Sequence, residues 1–319
     1  MSEKTGIIYW CGGSGHAARS IPIANELRSR GEKVSIAGGG FGAKFVDMNG
    51  FEQKKLTEID DPAEYSLTDF FTRTFTKLIP SSFSRLRDID KWLKQEEPDQ
   101  LITDDIFAIF LASIYGIEFY RVDHVTTDIL PLRWSLPLKL YNSLSMLRGN
   151  QIFVTSLWKE EGGSKNITKI DPLAQDDESE EELDSCDILL SPGTWGKGFH
   201  KIRSELEEKG YNVRTVGDDK WELKKSMNPV MRSVDLVICT GFSSIADAAV
   251  AGTPVLVFPF LTYQKALAKS IEERELQGIG TVHDVDEAIE MAEEYCENED
   301  IEGPEYDNGA PEIVDRILE

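Results

Sequence analysis

The chain has 319 residues, room for two hydrophobic cores, and its 40% apolar and 29% charged residues match a soluble globular protein. A net charge of −23 argues against nucleic acid as a partner, and no apolar run is long enough to span a membrane. Cys11, Cys186, Cys239 and Cys296 lack paired or metal-ligand spacing, and the N-terminus lacks a signal-peptide pattern, so reduced thiols in a cytoplasmic protein are expected.

In chain order, the apolar run Gly6–Cys11 enters Gly12-Gly13-Ser14-Gly15-His16 and then a helix over 17–30 that Gly31 stops. A strand running into a glycine-rich loop and a helix leaves backbone N–H groups free for an anionic or sugar-like ligand. His16 adds the side chain best suited to proton transfer near neutral pH. The dinucleotide fingerprint is excluded, because its third glycine would fall where Ala18 or Arg19 stands. Arg19, in the same loop region, is a candidate anion contact.

A strand at 33–37 and a short helix follow. Then come a strand at 100–103, a helix over 106–115 that Asp104 or Asp105 caps, and a strand at 118–122. Residues 129–159 contain no Asp or Glu but do contain Arg133, Lys139, Arg148 and Lys159 among many apolar side chains. That mixture, and a similar one over 70–79, suits an anionic membrane surface; a buried helix pair is the other reading.

Residues 160–187 carry eleven acids against two bases, and 284–319 carry fifteen against one, which together account for the whole negative excess. The first acidic stretch reads as a linker at 160–186 between halves spanning 1–159 and 187–319. The second half repeats the alternation, with strands at 187–190, 212–216, 235–239 and 255–258 and helices near 200–209, 244–250 and 265–275. Two Rossmann-like parallel-sheet domains facing a cleft are therefore expected.

The segment Asp235–Pro254 is a buried strand, a small-residue turn and a short helix. Ser243 and Ser244 at that helix start offer N–H groups and hydroxyls to a phosphate. Asp247, one turn on, suits ribose hydroxyls, and Gln264 lies at the same end of the sheet.

These runs, with Ile21–Leu27, Thr103–Ala108 and Phe258-Pro259-Phe260, make the sequence resemble the family 28 type of GT-B glycosyltransferase. That group includes the lipid-linked N-acetylglucosaminyltransferase of peptidoglycan synthesis and related archaeal enzymes. The resemblance implies a metal-independent transfer from a nucleotide sugar, commonly a UDP-sugar, with no cofactor. It puts the donor on the C-terminal half and a glycan or lipid-linked acceptor on the N-terminal half, at the inner face of the cell membrane.

It also implies His16 as the base. Gly193, Thr194, Gly241, Ser243, Ser244, Asp247 and Gln264 would surround the donor. Gly13, Ser14, Gly15, Arg19, Asp104 and Asp105 would lie in the loops or on the acceptor side. The chain differs from the family pattern at Phe242, Asp247 and Leu267. A nucleotide-sugar 2-epimerase on the same fold, or a non-catalytic partner that binds glycan or another subunit, are the alternative readings.

Overall fold

The computed structural model describes residues 3–59, 73–124, 139, 142–143, 145–146, 151–159, 166–175, 186–193, 196–298 and 300–319. The first half comprises β1 (Lys4–Ile8), α1 (Gly15–Ser29), β2 (Lys33–Gly38), α2 (Ala43–Met48), β3 (Gln53–Lys55) and α3 (Ile79–Glu96). It continues through β4 (Gln100–Thr103), α4 (Ile106–Tyr115), β5 (Glu118–Asp123), β6 (Ile152–Thr155) and β7 (Ile167–Ile170). Its seven strands run in the order β3-β2-β1-β4-β5-β6-β7, every neighbouring pair parallel.

The second half holds β8 (Ile188–Ser191), α5 (Phe199–Glu208), β9 (Val213–Thr215), α6 (Asn228–Arg232), β10 (Leu236–Cys239) and α7 (Phe242–Ala251). After these come β11 (Val255–Val257), α8 (Thr262–Glu272), β12 (Ile279–Thr281) and α9 (Val285–Glu297). The five strands are again all parallel, in the order β12-β11-β10-β8-β9. Fully buried runs such as Leu236–Cys239 form central strands because crossover helices cover both faces of a parallel sheet.

Strand order reverses between β1 and β4 in the first sheet and between β8 and β10 in the second. Crevices beyond the C-terminal ends of strands at such switch points are where α/β sheets bind ligands. The loops after β1 and β4, and those after β8 and β10, with the helices they enter, carry all the candidate residues except Gln264, which follows β11.

Strands and helices of the two sheets depart from the expected boundaries at two places. β7 arises inside the acidic stretch after residue 159 yet pairs with β6 as the edge of the first sheet. The terminal helix α10 (Gly309–Leu318) leaves the second half and packs on α1, burying Ala310, Ile313, Val314 and Ile317 in the first core. Asn308 fastens that crossing, donating to Ala174 O at 2.6 Å while accepting from Ala310 N at 3.1 Å.

All four cysteines are free thiols, three of them buried. No helix among the described residues is long and apolar enough to cross a membrane. The end of the acid-free span is core: β6, Leu157 and Trp158 are buried, and Lys159 pairs with Asp171 at 2.6 Å. Residues 125–138 and most of 139–150 lie outside the described residues, as do 60–72.

Candidate functional site

The loop after β1 turns at Gly13, whose φ of +89° favours glycine, and delivers Ser14 to the start of α1. Ser14 takes the N-cap position without a side-chain cap, so the first-turn N–H groups stay open. Across the cleft, α7 begins at Gly241, which has no side chain to cap it. The two helix starts meet: a Cβ on Gly15 would lie 2.7 Å from Ser243 Oγ. Two uncapped N-termini, one from each half, thus converge on one place, and their dipoles favour negative charge there.

His16 projects from the first turn of α1. Its Nδ1 lies 2.5 Å from Asp104 Oδ2, just beyond β4. Asp104 also accepts from Trp10 N at 2.7 Å and from Arg19 Nη2 at 3.0 Å. Burial pushes this carboxyl up, but the His16 charge and hydrogen bond, Arg19 and the Trp10 N–H outweigh it and hold it at about 2. An ionised Asp104 favours the tautomer with the proton on His16 Nδ1, in which Nε2 is the nitrogen that can accept a proton. The 3.0 Å approach of Arg19 Nη2 to the same Nδ1 is then a contact between two donors. The Asp104 carboxylate lies between them and takes both.

Asp105, one residue on, has a different role. Its side chain is fully buried, and Oδ2 pairs with the equally buried Arg85 at 2.6 Å. Oδ1 caps α4 by accepting from Phe107 N at 2.8 Å and Ala108 N at 3.3 Å. Arg85 also donates to Thr57 O at 2.8 Å and Tyr9 O at 3.1 Å. Asp105 is therefore a scaffold residue rather than an acceptor-side one. Its neighbour Asp104 is the carboxylate that faces the cleft.

On the opposite wall, Ser244 Oγ shares a 2.8 Å hydrogen bond with Ser191 Oγ at the end of β8. Ser243 points instead toward Gly15. Gly193 sits at φ +59°, with Thr240 Oγ1 3.2 Å from where its Cβ would be; Thr194 lies outside the described residues. Gln264 is buried, and its Oε1 accepts from Phe260 N and Leu261 N, both at 2.9 Å. That oxygen is committed to the start of α8, so only the amide Nε2 remains to meet a ligand. Phe242 and Leu267, where the family pattern is broken, are both core residues of the second half, and Phe242 also packs 5.5 Å from the His124 ring.

Asp247 carries a carboxyl with no hydrogen-bond or ion-pair partner among the described residues; only its backbone oxygen accepts, from Asn228 Nδ2 at 3.2 Å. Burial alone raises it to about 7. The folded protein therefore holds this proton over a pH range where the unfolded chain has released it. Stability falls as pH rises from about 4 to about 7, and the penalty is complete above that. Asp247→Asn should leave stability near pH 4 little changed and raise it by roughly 2–4 kcal/mol at pH 8. Urea unfolding across this range checks it; a gain that does not change with pH would contradict a half-buried carboxyl raised by desolvation.

Residues outside the expected site set complete the cleft. Ser191 orients Ser244, and Asp123 is paired with Arg121 at the end of β5. His124 beside it is held at about 3, by burial first and then by Arg19. Among the described residues, no group of His, Cys, Asp and Glu is arranged to hold a metal ion.

No family model matches the sequence, and no curated protein matches it either. Solved structures do. The glycotransferase of kitacinnamycin superposes with a TM-score of 0.66 at 14% identity, over 94% of this chain and 92% of that one. The Streptomyces sp. SF2575 glycosyltransferase SsfS6, complexed with thymidine diphosphate, gives 0.65 at 15% identity, over 93% of each chain. CalG4, the calicheamicin glycosyltransferase, gives 0.63 at 14%, over 94% and 92%. The likeness establishes the fold: two Rossmann-like parallel-sheet halves in the GT-B arrangement.

Proposed function

We propose that the protein is a glycosyltransferase that moves a sugar from a nucleoside-diphosphate donor to an acceptor hydroxyl. One observation carries this reading: the His16–Asp104 pair faces the uncapped start of α7 across the cleft, with Gly15 and Ser243 at the meeting point. His16 Nε2 takes the acceptor proton while the acceptor oxygen bonds to the anomeric carbon. The bond from that carbon to the diphosphate breaks, its electron pair passing to the departing phosphate oxygen. The N–H groups and dipole of α7 stabilise that charge without a metal ion. A single displacement of this kind inverts the anomeric centre.

The C-terminal half holds the donor through Gly193, Gly241, Ser243, Ser244, the Gln264 amide and Asp247, whose carboxyl receives ribose hydroxyls. A pyrimidine nucleotide fits two lines of support: the family 28 resemblance favours UDP, and two of the similar structures are described as complexes with thymidine diphosphate. Incubation with UDP-N-acetylglucosamine in the absence of acceptor should yield no sugar isomer. A new isomer would support the epimerase reading instead.

The N-terminal half takes the acceptor, and a lipid-linked acceptor has support in the outer face of α4. Ile106, Phe110 and Ile114 are each 52–57% exposed there, one turn apart, with Phe83 of α3 also exposed. Exposed apolar side chains on that face, in a chain whose sequence also carries basic apolar stretches at 70–79 and 129–159, suit an anionic bilayer surface. The protein should sediment with anionic vesicles at low salt, and the Phe110→Ser, Ile114→Ser double variant should lose most of that binding. Equal sedimentation of the two proteins would remove this face from the account.

A further inference from the structure

Arg19 is the least explained cation in the cleft. It is 6% exposed, and its Nη2 is committed to Asp104 at 3.0 Å. Among the described residues, the buried Nε–H has no partner and Nη1 makes no hydrogen bond. An unpaired buried donor costs about 1–3 kcal/mol, so a ligand that accepts from this guanidinium is favoured. The guanidinium also points to a definite place: Nη1 is 3.9 Å from the Cβ position of Gly15, the same position that lies 2.7 Å from Ser243 Oγ.

We propose that Arg19 is a phosphate ligand, reaching from the N-terminal half to the diphosphate that the start of α7 holds on the C-terminal half. The inference rests on the donor-site reading above and adds a residue that the family resemblance leaves among the acceptor-side loops. Three independent features aim at one anion: the open first turn of α1, the open first turn of α7 and the Nη1 end of a buried guanidinium. Both helices are long enough for a developed terminal charge, at 15 and 10 residues. Because Arg19 belongs to one half and Ser243 to the other, an anion held by both bridges the two halves. As the sugar–phosphate bond breaks, the growing phosphate charge meets the same guanidinium that orients Asp104, and thereby His16.

Calorimetric titration with UDP, dTDP and inorganic pyrophosphate separates this role from a purely structural one. Arg19→Gln should weaken the nucleoside diphosphate that the native protein binds by about 10–100-fold, the worth of one charge-assisted hydrogen bond. Arg19→Lys, which keeps the charge but not the planar fork, should fall between. Asp104→Asn, which loosens Arg19 but keeps its charge, should bind the same diphosphate as well as the native protein. If Asp104→Asn weakens binding as much as Arg19→Gln, Arg19 acts only by holding Asp104 and the proposal is wrong. Equal binding by Arg19→Gln and the native protein would overturn it while leaving the donor site standing. If the native protein binds none of the three probes, the donor-site reading itself fails.

Discussion

Replacing His16 by alanine should lower kcat by about 10²–10⁴-fold while leaving the donor KM nearly unchanged. The acceptor hydroxyl is a poor nucleophile until its proton leaves, and His16 Nε2 is the basic nitrogen that the loop after β1 places at the cleft. Asp104→Asn should cost a comparable factor. The asparagine keeps the shape but loses the charge that holds the Nδ1 proton in place, and its amide N–H can donate to Nδ1 and drive the ring into the opposite tautomer. Since Asp104 itself titrates at about 2, it stays ionised across the working range, and pH dependence above pH 4 does not arise from it. Steady-state rates for the two single variants and the double variant give the check. The double loss should be close to either single loss, because the two residues act as one unit. Losses that multiply would mean that His16 and Asp104 act separately.

Arg85→Ala should destabilise the protein by about 3–5 kcal/mol, the largest stability effect expected of any single change in the N-terminal half. The Arg85–Asp105 pair is fully buried on both sides. Removing the cation leaves a carboxylate in the core, where burial already pushes it up despite the opposing Arg85 charge. The same change strips hydrogen bonds from Tyr9 O and Thr57 O, loosening α3 from the loops after β1 and β3. Denaturant unfolding measures the loss. A cost below 1 kcal/mol would show that Asp105 takes up a proton and relaxes without penalty. Asp105→Asn, which retains the acceptor oxygen for Phe107 N, should cost less than Asp105→Ala by about the worth of the helix cap.

These two effects also mark what could be read before the structure was known. β1, the glycine loop and α1 are written locally, in an apolar run, a turn and a helical stripe. The helix over Ile106–Tyr115 has both ends in the sequence, with Asp105 as the cap and Gly116 at φ +72° as the stop. Asp104 was visible as a capping candidate and, through the resemblance, as a loop or acceptor-side residue, but not as the partner of His16. Its contact with His16 joins residues 88 positions apart and exists only because β1 and β4 are neighbours at the switch point. The same is true of Ser191 and Ser244, brought together by the β8–β10 pairing.

The helix α10 was hidden for a different reason. Its apolar positions 310, 313, 314 and 317 follow helical spacing, but they are embedded in the acidic C-terminal stretch, and the core that they enter belongs to the other half of the chain. β7 was likewise masked by the acids around it. Short edge strands such as β3 and β12 carry too few residues for an alternation to register.

On the proposed function, the C-terminal half binds a nucleoside diphosphate at the start of α7. Thermal melting with UDP, dTDP, GDP and ADP, repeated on Ser244→Ala, tests it most directly, because a ligand that binds only the folded state raises the melting temperature. One pyrimidine diphosphate should raise it selectively in the native protein and much less in the variant. No rise with any of the four, in protein that melts cooperatively, would contradict the claim.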